Sequence, residues 1–194
     1  MFQIILIRAG ETEYDQQGRI QGTLDIPLSE DGRRYAEALI EPLRAHTALD
    51  MIYTSPNQAA MQTAEILGEA LDLKVKTIDK LENLNHGLWQ GMLVSDVKTK
   101  QPRVYRQWQE LPETVCPPQG ETVNAAEERI QSAIAKLTKR HKSDGLIALV
   151  LPEPLATVLC HLLRQDELGD LWRCRSGAAP WEMIDVAPEG VGSK

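Results

Sequence analysis

The residues with the clearest chemical potential follow the first apolar run of the chain. Residues 2–7 form a short run rich in β-branched side chains, which is typical of a strand buried on both faces of a parallel sheet. Arg8 ends the run with a fixed positive charge, and Gly10 supplies a turn. In open α/β sheets the ligand crevice lies at the carboxyl ends of the strands. Arg8 is therefore a candidate for binding an anion.

A lone arginine at the end of a buried strand has a second interpretation. Its guanidinium can pair inside the fold with the carboxylate of Asp15, Glu11 or Glu153. We favour this internal pairing, and anion binding stays open as the alternative.

Composition limits the kinds of partner. The 194 residues suit one well-buried domain, which we place over residues 1–194, and the net charge of −7 argues against nucleic acid and anionic membranes. The apolar runs are too short to span a bilayer, and the start of the chain lacks the basic residues of a secretory signal. Three cysteines without metal-type spacing indicate reduced thiols in a cytoplasmic protein. We predict no metal and no cofactor.

The order of elements that positions these residues predicts a three-layer α/β/α sandwich with a mostly parallel central sheet. Strands are predicted at residues 2–7, 51–54, 73–78, 146–151 and 181–186, and a loop at 13–27. Helices are predicted at 30–46, with a kink at Pro42, from Ser55 and Pro56 to Leu71, near 104–109, at 121–142 and at 155–163. Residues 81–91 are predicted to be irregular, 92–120 to form an excursion from the sheet, and 187–194 a loose tail. The four tryptophans are interpreted as packing or interface residues.

Five stretches resemble, in order, the motifs of the histidine phosphatase superfamily, in its phosphoglycerate-mutase-like branch. They are Arg-Ala-Gly-Glu-Thr at 8–12, Gly-Arg-Ile-Gln-Gly with the following Asp25 and Pro-Leu-Ser at 18–29, the Ser-Pro and Gln-Thr-Ala pattern at 53–64, Gly-Leu-Trp-Gln-Gly at 87–91, and Pro-Gln-Gly-Glu-Thr at 118–122. The resemblance covers roughly residues 2–165 and implies the fold of that family.

The same resemblance implies a phosphoryl site whose reactive positions are changed. In the family, a histidine nucleophile, two arginines, a second histidine and a proton-donating carboxylate surround the phosphoryl group. Only the first arginine is kept, as Arg8; the other four positions hold Ala9 (nucleophile), Ala59 (second arginine), Asn83 (acid) and Pro152 (second histidine). In addition, Asp15 replaces an asparagine and Glu153 a glycine. The resemblance leaves Arg8, Thr12, Gln21 and Gly22 as remnant anion-binding residues, and Asp15, His86 and Glu153 as pocket-lining residues.

These changes have large energetic consequences. A lost charge-assisted hydrogen bond to phosphate costs about 1.5–3 kcal/mol, and a missing general acid costs about 10²–10⁴ in rate. Alanine has no lone pair with which to attack phosphorus, so the covalent route is closed. We therefore expect no catalysis, and predict a protein that acts by binding or assembly.

Two alternatives stay open. The first is a phosphatase or mutase with a displaced mechanism, using His86 or a water held by Glu153. Cys160 is excluded as a nucleophile because helical periodicity points it inward, and His46, His141 and His161 are interpreted as structural. The second alternative is a structural, dimerising subunit, whose cleft the Pro-Glu-Pro segment at 152–154 would plug. Expected partners are a phosphorylated small molecule or anion, a second copy of the chain, or another protein.

Overall fold

Apolar runs form a five-stranded sheet at the centre of the molecule. The computed structural model describes residues 2–45, 49–141, 145–172 and 179–186. The strands are β1 (Phe2–Arg8), β2 (Leu49–Thr54), β3 (Val75–Thr77), β4 (Leu146–Leu151) and β5 (Trp181–Val186). Their order is β3-β2-β4-β1-β5, with every pair parallel except β5, which runs antiparallel to β1 at the edge. The predicted mostly parallel sheet is confirmed.

Helices cover both faces of this sheet, which confirms the three-layer architecture. They are α1 (Glu13–Gln16), α2 (Glu30–Ala38), α3 (Ile40–Arg44), α4 (Gln58–Leu71), α5 (Val94–Lys100), α6 (Pro102–Glu110), α7 (Val123–Arg140) and α8 (Leu155–Arg164). Alternate residues of β1 enter different apolar clusters. Ile4 and Leu6 pack on the side of α7 and α8, whereas Ile5 and Ile7 pack on the side of α4. This alternation explains why the strand is apolar throughout.

The first loop differs from its prediction. Residues 13–16 form the single turn α1 because Thr12 caps it: Thr12 accepts a hydrogen bond from the Asp15 N–H, and the Asp15 carboxylate accepts one from the Thr12 N–H. This reciprocal capping box stabilises a turn too short to show helical periodicity.

Several helix boundaries also differ. The predicted helix at 30–46 is two helices, separated at Leu39. Pro42 lacks the N–H that would bond to the Ala38 carbonyl, and its ring clashes with that carbonyl, so the break falls one turn before the proline. The next helix, α4, begins two residues after Pro56, with Asn57 as its N-cap.

The segment 92–120 is more ordered than predicted. It contains α5, which the sequence prediction missed, and α6, near its predicted position. Val97 and Trp108 from these helices are fully buried, and so is Trp89, which agrees with the packing interpretation. The stretch predicted to be irregular, 81–91, begins at the end of a 3-10 turn, Asp79–Leu81, and contains a second, Gly87–Trp89.

The later elements agree with prediction. Strands β4 and β5 have their predicted bounds, and α7 and α8 lie within two residues of theirs. The predicted tail at 187–194, His46 and Cys174 lie outside the described residues. No helix among the described residues is both long and apolar enough to cross a membrane.

Candidate functional site

A cleft of about 430 Å³ lies beside the carboxyl ends of β1 and β4. Its polar side contains all three predicted lining residues and is formed by Glu11, Asp15, Arg19, Gln21, His86 and Glu153. Its apolar side is formed by Ile20, Val94, Pro154, Leu171 and Trp172. Gly22, a predicted anion-binding residue, also lines the cleft. The parallel register of β1 and β4 pairs Arg8 with Leu151, and so brings Glu153 close to Arg8.

Arg8 is paired inside the fold, as one of its two interpretations predicted. The guanidinium donates from Nε to Glu153 Oε1 at 2.7 Å and from Nη1 to Glu182 Oε1 at 2.7 Å. Nη1 also lies 2.9 Å from the Ala179 carbonyl. Burial acts to lower the pKa of Arg8, but the neighbouring carboxylates raise it above its usual range. Two carboxylates occupy the position expected for a free anion, and Arg8 does not line the cleft.

Glu153 holds a second set of contacts through its other oxygen. Oε2 accepts hydrogen bonds from Thr157 N at 3.2 Å and from Thr157 Oγ1 at 2.9 Å. Thr157 lies in the first turn of α8, where unpaired N–H groups favour a negative charge. The Pro-Glu-Pro segment thus closes the Arg8 end of the site, while the cleft beside it remains open.

The two alanines at family positions are core residues. Ala9 and Ala59 are each about 1% exposed. The Ala9 N–H donates to the Leu151 carbonyl at 2.8 Å and so continues the β1–β4 ladder beyond the strand. Neither methyl group has a donor or acceptor, so neither position contributes to phosphate chemistry.

Asn83, at the family's acid position, joins three segments of the site. Its Nδ2 donates to the Gly22 carbonyl at 3.1 Å and to the Glu153 carbonyl at 2.9 Å, and its Oδ1 accepts from Leu84 N. A carboxylate here would face two carbonyl oxygens, whereas an amide supplies both with donors. Asn83 therefore positions the cleft walls and has no proton to give.

The remnant anion-binding residues of the first loop are bonded to one another. Thr12 is buried, and its Oγ1 lies 2.9 Å from both Asp15 Oδ2 and Gln21 Oε1. The Asp15 carboxylate, predicted to line the pocket, also has a capping role for α1. Of this group, Thr12 lies behind the cleft surface, and Gln21 lies on it.

His86 is the cleft residue whose pKa is clearly shifted. Its Nδ1 lies 3.2 Å from the Leu84 carbonyl, and its ring packs edge-on against Trp108 at 5.4 Å. A carbonyl only accepts, so Nδ1 carries the proton and Nε2 keeps a lone pair. Burial lowers the pKa of His86 to about 4. The imidazole is consequently neutral at physiological pH.

Sequence reasoning missed several residues of the site, and three of them matter most for its charge and shape. Arg19 is a cation of the cleft, oriented by hydrogen bonds to Gln17 Oε1 and the Gly91 carbonyl. Its position in the Gly-Arg-Ile-Gln-Gly motif was the available signal. Trp172 contributes an aromatic wall, and Glu182 the second partner of Arg8. No local pattern marks these two, because the fold brings them in from far along the chain.

Comparisons with known proteins agree on one family. The profile of the histidine phosphatase superfamily (branch 1) matches residues 4–192. Phosphoserine phosphatase 1 of Hydrogenobacter thermophilus is 35% identical over 187 residues, which are 96% of this chain and 87% of that protein. A mycobacterial glucosyl-3-phosphoglycerate phosphatase is 28% identical, with a TM-score of 0.77 over 88% of this chain and 82% of that chain. Bacillus stearothermophilus YhfR shares the fold, with a TM-score of 0.82 over 100% of this chain and 98% of that chain at 24% identity.

These findings contradict our prediction of a non-catalytic protein. Two of these relatives carry the names of phosphatases, and the chain spans most of the length of each. They favour the alternative, a phosphatase or mutase with a displaced mechanism, over a protein that only binds or assembles.

Proposed function

Because the chain belongs to the histidine phosphatase superfamily, we propose that it hydrolyses phosphate monoesters of small molecules without using position 9 as the nucleophile. The observation that carries this proposal is His86, a neutral imidazole with a free lone pair on the wall of an open cleft. A cleft of about 430 Å³ is within the range typical of small-molecule sites.

His86 positions the attacking water in this proposal. Its Nε2 accepts a hydrogen bond from a water molecule and directs the water oxygen at phosphorus. Phosphoryl transfer passes through a loose transition state in most analyses, so orientation of the nucleophile matters more than strong proton abstraction. A pKa of about 4 makes His86 a weak base, but it keeps the lone pair available at neutral pH.

Arg19 supplies the positive charge opposite the phosphoryl group. Its Nε and Nη1 are held by Gln17 and Gly91, so the guanidinium is oriented before a substrate enters. As the water oxygen bonds to phosphorus, the ester P–O bond breaks, and the proton released by the water reaches the leaving oxygen through solvent. Because Asn83 supplies no proton, we expect turnover to be about 10²–10⁴ slower than with a general acid.

The substrates to test come from the relatives and from the cleft. The names of the relatives point to phosphoserine and to phosphoglycerate derivatives. The apolar side, with Trp172, adds an aryl phosphate to the set. A homodimer or a protein partner remains a prediction, which sedimentation of the purified chain tests.

The test measures phosphate release from phosphoserine, 3-phosphoglycerate and an aryl phosphate by wild type, His86→Gln and Arg19→Met. We expect slow wild-type turnover, a fall of at least tenfold in kcat for His86→Gln, and a rise in KM for Arg19→Met. His161→Gln and Arg140→Met, which lie outside the cleft, are matched controls and should keep wild-type rates. Turnover that survives His86→Gln, or no turnover of any substrate, would overturn the proposal.

A further inference from the structure

The surroundings of the Glu153 carboxylate consist of donors suited to an oxyanion. They are the Arg8 guanidinium at 2.7 Å, and the Thr157 N–H and hydroxyl at 3.2 and 2.9 Å. The Glu153 side chain is 3% exposed and that of Arg8 9% exposed, so these groups are removed from water. A guanidinium, a hydroxyl and an N–H in the first turn of the ten-residue helix α8 are groups that hold phosphate in proteins.

We propose that Glu153 is a tethered anion that fills this oxyanion site and excludes free phosphate from it. The site is formed by Arg8, Thr157 and the first turn of α8, and the glutamate carboxylate takes the place of two phosphate oxygens. Exclusion of phosphate from the Arg8 site would direct the phosphoryl group of a substrate toward Arg19. This consequence for catalysis rests on the proposed function.

The charges of the cluster support exclusion. The guanidinium of Arg8 faces the carboxylates of Glu153 and Glu182, and Arg164 pairs with the outer oxygen of Glu182. Arg8 is therefore fully neutralised by its two partners, and an incoming phosphate would meet a carboxylate before it met the guanidinium. Burial strengthens this repulsion because charges in a poorly solvated region are weakly screened.

The position of Glu153 distinguishes it from Glu182. Glu153 lines the cleft, so truncating its side chain would connect Arg8 to the open cavity. Glu182 lies on the edge strand β5 and does not line the cleft. Its removal would lower the negative charge beside Arg8 and leave the Glu153 carboxylate in place. Comparing variants of the two residues therefore separates the effect of filling the oxyanion site from the effect of negative charge beside Arg8.

The test is titration of the full chain with inorganic phosphate, followed by calorimetry and by thermal unfolding. We expect Glu153→Ala to bind phosphate at least tenfold more tightly than wild type. The gain should disappear in Arg8→Met/Glu153→Ala, and Glu182→Gln, which removes one charge but leaves the site filled by Glu153, should gain far less than Glu153→Ala. Glu153→Gln, which keeps the side-chain shape and loses the charge, should show a smaller gain and serves as the readout if Glu153→Ala fails to fold.

The proposal is overturned if neither Glu153 variant gains affinity, if Glu182→Gln gains as much, or if the gain survives without Arg8. The readout is binding, so it stays independent of turnover. A chain without phosphatase activity that still gains phosphate affinity in Glu153→Ala would refute the proposed function and support this inference.

Discussion

At the residue scale, burial beside the cleft keeps the His86 imidazole neutral. This burial lowers the free energy of unfolding at acid pH. The unfolded chain protonates a histidine near pH 6.5, whereas burial lowers the pKa of folded His86 to about 4. Between these values the unfolded state binds the extra proton, so the free energy of unfolding falls as pH decreases. At about 1.4 kcal/mol for each pH unit, the loss attributable to His86 reaches about 3 kcal/mol by pH 4.

Urea unfolding at pH 7, 5.5 and 4.5 tests this prediction. His86→Leu should be less stable than wild type at pH 7, since it loses the bond to Leu84, and its stability should depend less on pH below 6.5. Arg140→Met, at the exposed end of α7, should keep the wild-type pH dependence. An equal acid loss in wild type and His86→Leu would contradict the prediction.

A second prediction at this scale concerns the thiol of Cys160. Burial, together with the hydrogen bond that the thiol donates to Glu182 Oε1 at 3.1 Å, raises the pKa of Cys160 to about 12. The thiolate is the reactive form, so Cys160 should resist alkylation at pH 8. In a chain with Cys116→Ser and Cys174→Ser, iodoacetamide should label Cys160 only after denaturation. A chain that keeps only the exposed Cys116 is the control, and rapid native labelling of Cys160 would refute the assignment.

At the element scale, sequence patterns predicted the strands better than the loop structure. The strand predictions for residues 146–151 and 181–186 were correct because each range is a run of strand-forming residues bounded by turn residues. Helices α1 and α5 were missed because they are short and carry few apolar residues, so periodicity cannot mark them. Their formation depends on capping and on tertiary packing, which reach beyond a local window.

One long helix, α7, also supports the segment beside the cleft that carries Asn83. Arg129 of α7 donates to the carbonyls of Lys80, Glu82 and Asn83 and pairs with Glu121. These contacts hold the segment that places Asn83 between the cleft walls. We expect Arg129→Met to lower the free energy of unfolding by about 1–3 kcal/mol, because several acceptors lose a charged donor.

The matched control for this change is Arg140→Met, at the exposed end of the same helix, which should stay within about 0.5 kcal/mol of wild type. Urea unfolding measures both variants. Equal stabilities for the two variants would show that the Arg129 contacts contribute nothing to the fold.

At the scale of the whole molecule, the strand order β4-β1-β5 assembles the charged cluster. Adjacent strands bring together Arg8 from β1, Glu153 after β4 and Glu182 from β5, which lie 145 and 174 residues from Arg8. Sequence reasoning named Glu153 as one of three possible partners of Arg8, together with Asp15 and Glu11, and of these the guanidinium bonds to Glu153. It missed Glu182, since nothing local fixes the antiparallel register of the last strand. The cleft lining was partly predictable on the same grounds. The ends of strands can be located from sequence, whereas the contacts made by an edge strand cannot.

This cluster gives the most stringent test of the fold. Arg8→Met removes the cation that two poorly exposed carboxylates share, those of Glu153 and Glu182, which are 3% and 16% accessible. Breaking a buried ion pair by removing one partner costs about 3–5 kcal/mol, and here the desolvated charge left without a cation is that of Glu153, since Glu182 keeps Arg164. The triple variant Arg8→Met/Glu153→Gln/Glu182→Gln removes that charge and should recover most of the loss. Urea unfolding of Arg8→Met, Glu153→Gln, Glu182→Gln and the triple variant gives the coupling energy among the three residues. Additive losses would mean that the three residues act independently, and that the sheet does not depend on their mutual compensation.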